Sequence, residues 1–293
     1  MTLGLITFNQ RKFVEEAVLA ALGQTHRSLE VVICDDASED GTFELASSTV
    51  AATPTRHYVR LHQNRQRLGI NNFNQLLSLS TGDLIVIAHG DDISSPARVE
   101  RIVQTWLSSG SSMITSNAQE IDTEGNLLGD ATLPGTIPDN SLVGIAANGW
   151  NPTLWGAVLA IHRDVFDLFG PLDPNQSVLT TDWILPFRAA SINGIKYIDE
   201  KLVRIRRHPK QKSKLLDSGA TQIEKVEQWA SGELSQYLYM LDDFVRVVRP
   251  LRLQPPEVLE QTSAALSASI LRSANIWRVA RNKLNASRLG LDL

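Results

Sequence analysis

Along the first half of the chain, short apolar runs alternate with amphipathic stretches, the pattern that feeds a parallel sheet through helical crossovers. The expected class is therefore α/β. Residues 3–7 read as a first strand, and residues 11–24 as a helix with Phe13, Val14, Ala17, Val18 and Ala21 on one face. Residues 29–34 form a continuous apolar run that ends in Asp35 and Asp36. Ser38-Glu39-Asp40-Gly41 then supplies turn and helix-start chemistry for a helix reaching about Val50. A third strand is expected at 57–61, a helix at 69–80, and a buried strand at 84–88 that runs into His89-Gly90-Asp91-Asp92. Pro96 marks a further helix, with Val99, Ile102, Val103 and Trp106 on its apolar face, followed by a strand at 113–116.

Between residues 122 and 151 the periodicity fades and Gly, Pro, Asn and Asp accumulate, which predicts loops or a small hairpin around Glu124-Gly125-Asn126. The pattern then gives a strand over 151–160, a short helix over 163–169, a helix over 181–191 with Asp182 in its first turn, and a strand over 196–205. Beyond Ser213 long helical patterns broken at Pro250 and Pro255-Pro256 predict a helical extension. The expected domains are 1–214, split near 117, and 215–293.

Ligands of open α/β sheets bind beyond the carboxyl ends of the strands. Thr7-Phe8-Asn9, Asp35-Asp36 and Asp91-Asp92 all follow apolar strands, so they are the first candidates for a shared crevice. Either acidic pair alone is as well explained by a turn or a helix cap. Two pairs in equivalent positions suit a divalent cation, Mg²⁺ or Mn²⁺, with a nucleoside diphosphate completing its shell. Phe8 is placed to stack on a nucleobase or simply to fill the core.

Composition narrows the classes. With 28 Lys+Arg against 32 Asp+Glu, the net charge of -4 gives no general attraction to nucleic acid, and none is expected as a partner. The lone Cys34 cannot form an internal disulfide, and the N-terminus resembles a strand rather than a signal peptide, so a cytoplasmic location is expected. No apolar run approaches the roughly 18 residues of a membrane span. Neither a Gly-x-Ser-x-Gly elbow nor a Gly-x-Gly-x-x-Gly loop is present, which weighs against hydrolases and dehydrogenases.

The motifs carry a resemblance. Thr7-Phe8-Asn9, Gln24-Thr25 and Asp35-Asp36-Ala37-Ser38-Glu39-Asp40-Gly41-Thr42, followed by Asn64, Gly69, Asn74, Gly82-Asp83 and Gly90-Asp91-Asp92, resemble family-2 glycosyltransferases of GT-A fold. Later segments agree: Gly170-Pro171-Leu172-Asp173, Thr181-Asp182-Trp183 and Ile205-Arg206-Arg207-His208. His89 replaces the usual first acid of the Asp-x-Asp motif, Thr181 replaces a Glu, and Ile205 replaces a Tyr.

The resemblance implies an inverting transferase that moves a sugar from a nucleotide-sugar donor, most often a UDP-sugar, to a hydroxyl on a carbohydrate, lipid-linked or protein acceptor. Surface polysaccharide synthesis is the commonest setting. It implies Asp182 as general base, Asp92 as metal ligand, and Thr7, Phe8, Asn9, Asp35, Asp36 and Asp91 around the nucleoside. Residues 196–214 hold eight Lys or Arg against two acids, so Arg206, His208 and residues 210–214 are candidates to meet the diphosphate, with Arg67 and Arg65 competing. Trp150, Trp155 and Trp183 are candidates for acceptor contact. The basic, apolar-striped segment over 261–291 suits either a peripheral membrane contact or packing against the catalytic domain or a second subunit. A nucleotidyltransferase and a non-catalytic nucleotide-sugar-binding subunit are the alternatives.

Overall fold

The computed structural model describes residues 1–131, 139–149, 154–173, 175, 180–208 and 220–288, with the side chains of residues 180, 287 and 288 left aside. The chain divides into two compact units, one of Met1–Pro138 with Asn151–Arg207, the other of Asp139–Trp150 with His208–Leu293. The expected boundary at 214 lies outside the described residues.

In the first unit, β1 (Thr2–Thr7), β2 (Glu30–Asp35), β3 (Tyr58–Gln63) and β4 (Leu84–His89) lie in the order β3-β2-β1-β4, all parallel. The chain builds outward from β1 to β3 and then crosses to the far side of β1, which makes the C-terminal ends of β1 and β4 the place where strand order reverses. β2 is buried at every position and β4 at all but the last, which is why both read as unbroken apolar runs.

The helices pack as their periodicity requires. α1 (Val14–Leu22) buries Val14, Ala17, Val18, Ala21 and Leu22, and α4 (Arg98–Ser109) buries Val99 and Ile102. Each Val, Leu or Ile among them contributes roughly 1.5–3 kcal/mol when fully buried. α2 is Thr42–Ala52 and α3 is Asn71–Leu79.

The sheet does not stay parallel past β4. Short β8 (Ala160–His162) joins β4 antiparallel, β6 (Met113–Ile121) follows antiparallel, and β9 (Ile195–Arg206) pairs with β6 in parallel. Two-residue β5 (Ile93–Ser94) closes against β9, and β7 (Leu127–Asp130) forms a hairpin with β6. Residues 122–126 make the expected turn, with the Asp122 amide donating to the Asn126 carbonyl at 2.9 Å. The strand expected over 151–160 is instead, among its described residues, a 3₁₀ turn at Gly156–Val158 leading into β8. α6 (Asp164–Phe169) and α7 (Thr180–Ile192) complete the unit.

The second unit is helical. α5 (Leu142–Asn148), in a stretch expected to be loop, is capped by the Ser141 side chain, which accepts from the Gly144 amide. α8 (Gln222–Asp243) opens with a Thr221–Glu224 capping box and runs through a π turn, Phe244–Val248. α9 (Pro256–Arg288) packs on α8 and α5. Ser269 donates to the Ala146 and Ala147 carbonyls at 3.0 Å, Ser273 donates to Glu233 at 2.8 Å, and Trp277 donates to Glu227 at 3.0 Å. Among the described residues no helix is long and apolar enough to cross a membrane.

Candidate active site

The loops after β1 and β2 are bound to each other. Asp35 is fully buried and accepts from the Thr7 hydroxyl at 2.7 Å, the Ser38 hydroxyl at 2.6 Å and the Ser38 amide at 2.8 Å. Asn9 and Ala37 take left-handed backbone conformations, φ +50° and +58°, an arrangement that costs a non-glycine residue energy and persists only where neighbours enforce it. Here the Asn9 amide donates to Ser38 and its side-chain oxygen accepts from the Glu39 amide. Thr7 and Asp35 are thus buried partners of each other that shape the loop.

Asp36 accepts from the Leu68 amide at 2.7 Å, the Gly69 amide at 3.0 Å and the Asn64 side chain at 3.1 Å. A carboxylate has about four acceptor positions, so it is nearly filled while fixing the 64–69 loop. That loop carries Arg67, whose guanidinium lies 4.4 Å from the centroid of the half-buried Phe8 ring. Phe8 is therefore not plain core. It and Arg67 form a flat, partly exposed pair at the end of β1.

At the end of β4, the chain turns at Gly90. A Cβ there would lie 2.6 Å from the Gln10 side-chain oxygen and 2.7 Å from Thr7 Cγ2, so only glycine lets β4 deliver the next acids beside β1. His89, Asp91 and Asp92 offer ligand atoms all within 4.8 Å of one another. Oxygen donors from two carboxylates with one imidazole suit a divalent cation. Burial and the adjacent Asp91 hold the Asp92 pKa above the ordinary carboxylate value, against the pull of His89 and of the Arg206 amide, which donates to Asp92 at 2.9 Å. Burial alone would lower His89, but the hydrogen bond and charge of Asp92, with Asp91 and Asp182, outweigh it and raise its pKa.

Asp182, in the first turn of α7, faces the same place. Its Oδ1 accepts from the Gly156 amide at 2.9 Å and from the Thr181 hydroxyl at 3.0 Å. A Cβ on Gly156 would stand 3.0 Å from that oxygen and 3.5 Å from His89 Cε1, so this glycine lies between the acid of α7 and the end of β4. Burial raises the Asp182 pKa to about 6, opposed by Thr181, His89 and Gly156. The sequence offered no sign of Gly156, because its amide and Asp182 meet only through the pairing of β8 with β4.

Arg206, expected from the basic run, lies behind the acidic turn. It is almost wholly buried, with Nε on the Asp91 carbonyl, Nη1 on the Asp122 and Thr123 carbonyls, Nη2 on Glu16 at 2.8 Å, and the Phe13 ring 4.8 Å beneath. Four of its five donors are engaged in bracing the acidic turn. Arg207 is paired with Glu120 and lies 4.8 Å from the Trp155 ring centroid. Trp183 is buried, and Trp150 and residues 210–214 lie outside the described residues. His208 is buried and opens the second unit.

The described acids therefore group at the order reversal of an α/β sheet, with the half-buried Asp182 across from them, the place where ligands of open α/β sheets bind. Residues 2–169 match the family described as Glycosyl transferase family 2. The chain belongs to that family and is a transferase enzyme. An uncharacterized glycosyltransferase of Nostoc sp. (strain PCC 7120) is 24% identical over 245 residues, covering 82% of this chain and 74% of that protein. S. aureus TarS 1–349, solved in complex with UDP-GlcNAc, superposes with a TM-score of 0.57 at 14% identity over 99% of this chain and 93% of that one. The longer TarS chain is matched over 54% of its length. The mannosyltransferase PcManGT from Pyrobaculum calidifontis, solved with GDP-Man and Mn²⁺, gives 0.54 at 18% identity over 97% and 79%. These likenesses support the GT-A fold.

Proposed function

We propose that the chain transfers a sugar from a nucleoside diphosphate sugar to an acceptor hydroxyl by single displacement with inversion. The observation that carries this reading is the half-buried Asp182 carboxylate held by the Gly156 amide beside the His89–Asp92 turn. A sugar hydroxyl is a weak nucleophile, and a carboxylate with a pKa near 6 is ionised at neutral pH yet basic enough to accept its proton.

In the proposed step the acceptor oxygen forms a bond to the anomeric carbon as the bond to the diphosphate oxygen breaks. The acceptor proton passes to Asp182, and the nucleoside diphosphate leaves. Phe8, Asn9, Asp36, Arg67 and Asp91 hold the nucleoside, with the Phe8–Arg67 pair supplying a flat surface for the base. Asp92, Asp91 and His89 would hold a divalent cation, Mg²⁺ or Mn²⁺, which supplies positive charge for the departing diphosphate. UDP-GlcNAc and GDP-Man, bound by the structural relatives, make a nucleoside diphosphate sugar the donor class to test, with UDP-sugars first and surface polysaccharide as the expected setting.

The test is a panel of UDP- and GDP-sugars offered with Mn²⁺ and carbohydrate or lipid-linked acceptors, with the product's anomeric configuration read by NMR. An α-linked donor yielding a β-linked product is expected. Retention of configuration would overturn the single displacement.

A further inference from the structure

Arg98 is the first residue of α4, has no exposed surface, and makes no ion pair among the described residues. Burying a guanidinium without a carboxylate at contact distance is costly, and it lowers the Arg98 pKa to about 10 against the more distant pull of Asp92. Its hydrogen bonds show what holds it there. Nη1 donates to the Ser94 hydroxyl at 2.9 Å, while Nη2 donates at 2.8 Å both to the Ile87 carbonyl and to the Ala157 carbonyl. Nε has no partner.

These acceptors come from three separate stretches. Ile87 lies in β4 two residues before His89, Ser94 lies in β5 two residues after Asp92, and Ala157 follows Gly156, whose amide holds Asp182. One planar fork thus ties the strand that delivers the acidic turn to the 3₁₀ turn that holds the acid of α7. We propose that Arg98 is a positioning residue that fixes the Gly156 amide, and through it the Asp182 carboxylate, at a set distance from the His89–Asp92 turn. The catalytic meaning of that distance rests on Asp182 being the base, whereas the tie itself does not. An ammonium cannot reproduce the fork, because it is a point donor on a flexible stem.

The experiment compares Arg98→Met and Arg98→Lys with the wild-type chain by amide hydrogen exchange, donor affinity and turnover. Folded Arg98→Met should exchange the Gly156 amide at least about tenfold faster while β1 amides stay protected, keep donor Kd within about twofold, and lose about a hundredfold in kcat, the scale of an ångström-level misplacement. Arg98→Lys should fall between, and it carries the comparison if the Met variant does not fold. Unchanged Gly156 exchange in the folded variant would overturn the proposal, as would exchange that rises equally in β1 and Gly156. Faster Gly156 exchange with unchanged kcat would support the tie and count against Asp182 as base, so the two failures are distinguishable.

Discussion

Asp182 acts as a base only when ionised, and its environment sets where that happens. Folding raises its pKa from 3.8 to about 6, so kcat should fall roughly tenfold per unit as pH drops below 6 and level off above about 7. The effect on stability has the opposite sign. The folded chain holds this proton more tightly than the unfolded chain, so the group's contribution favours folding at low pH and is lost as pH rises through about 6. A pH profile of kcat under saturating donor checks the first statement. Gly156→Ala should disturb the same carboxylate, since the added carbon falls 3.0 Å from its Oδ1. We expect at least a tenfold loss of kcat with donor affinity little changed, measured by steady-state kinetics beside calorimetry. At this scale the sequence was informative where a motif supplied the role and uninformative where contacts decide it. Asp182, Asp91 and Asp92 were named from pattern and resemblance. The surroundings of Arg206 were not legible, because nothing in a run of basic residues reveals that Glu16, Phe13 and three carbonyls from distant segments meet it. Asp35 looked identical to Asp36 for the same reason.

Between elements, the ties that hold the crevice are side-chain amides. Gln24, just past α1, donates to the Ser95 carbonyl at 2.8 Å and accepts from the Val99 amide at 3.0 Å, so it caps α4 from the end of α1. Thr25 adds an amide bond to the Pro96 carbonyl and a hydroxyl bond to Glu100. Asn74 of α3 pairs in both directions with the Leu172 backbone, at 2.8 and 2.9 Å, which gives the Gly170-Pro171-Leu172-Asp173 segment its anchor. Gln24→Ala leaves the buried Val99 amide without its partner and should cost about 1–3 kcal/mol, read by denaturant unfolding, while Asp182 keeps its contacts. β1, β2, β4, α1 and α4 were legible because each carries enough periodic or continuous apolar residues to declare itself. β5 and β8 were not, since two or three residues show no period, and their pairing is decided by neighbours far away in the chain. α5 was hidden by Gly144 and by the polar residues around it.

At the scale of the whole molecule, the catalytic unit is discontinuous in sequence, interrupted by residues 139–150, which belong with the C-terminal helices. That excursion, a seven-residue helix amid weak periodicity, explains why the sequence suggested a single boundary near the end of β9. In the proposed function the unit grips a nucleoside diphosphate sugar at the ends of β1 and β4 while Asp182 takes the acceptor proton. Donor binding and proton removal should therefore be separable. The most direct measurement places Asp182→Asn beside the wild-type chain, with donor affinity by titration calorimetry and turnover in the same buffer with Mn²⁺. The prediction is a donor Kd within about threefold of wild type and a kcat reduced by about 10²–10⁴, the usual contribution of a positioned base. Turnover within about threefold of wild type in the folded Asn variant would contradict it.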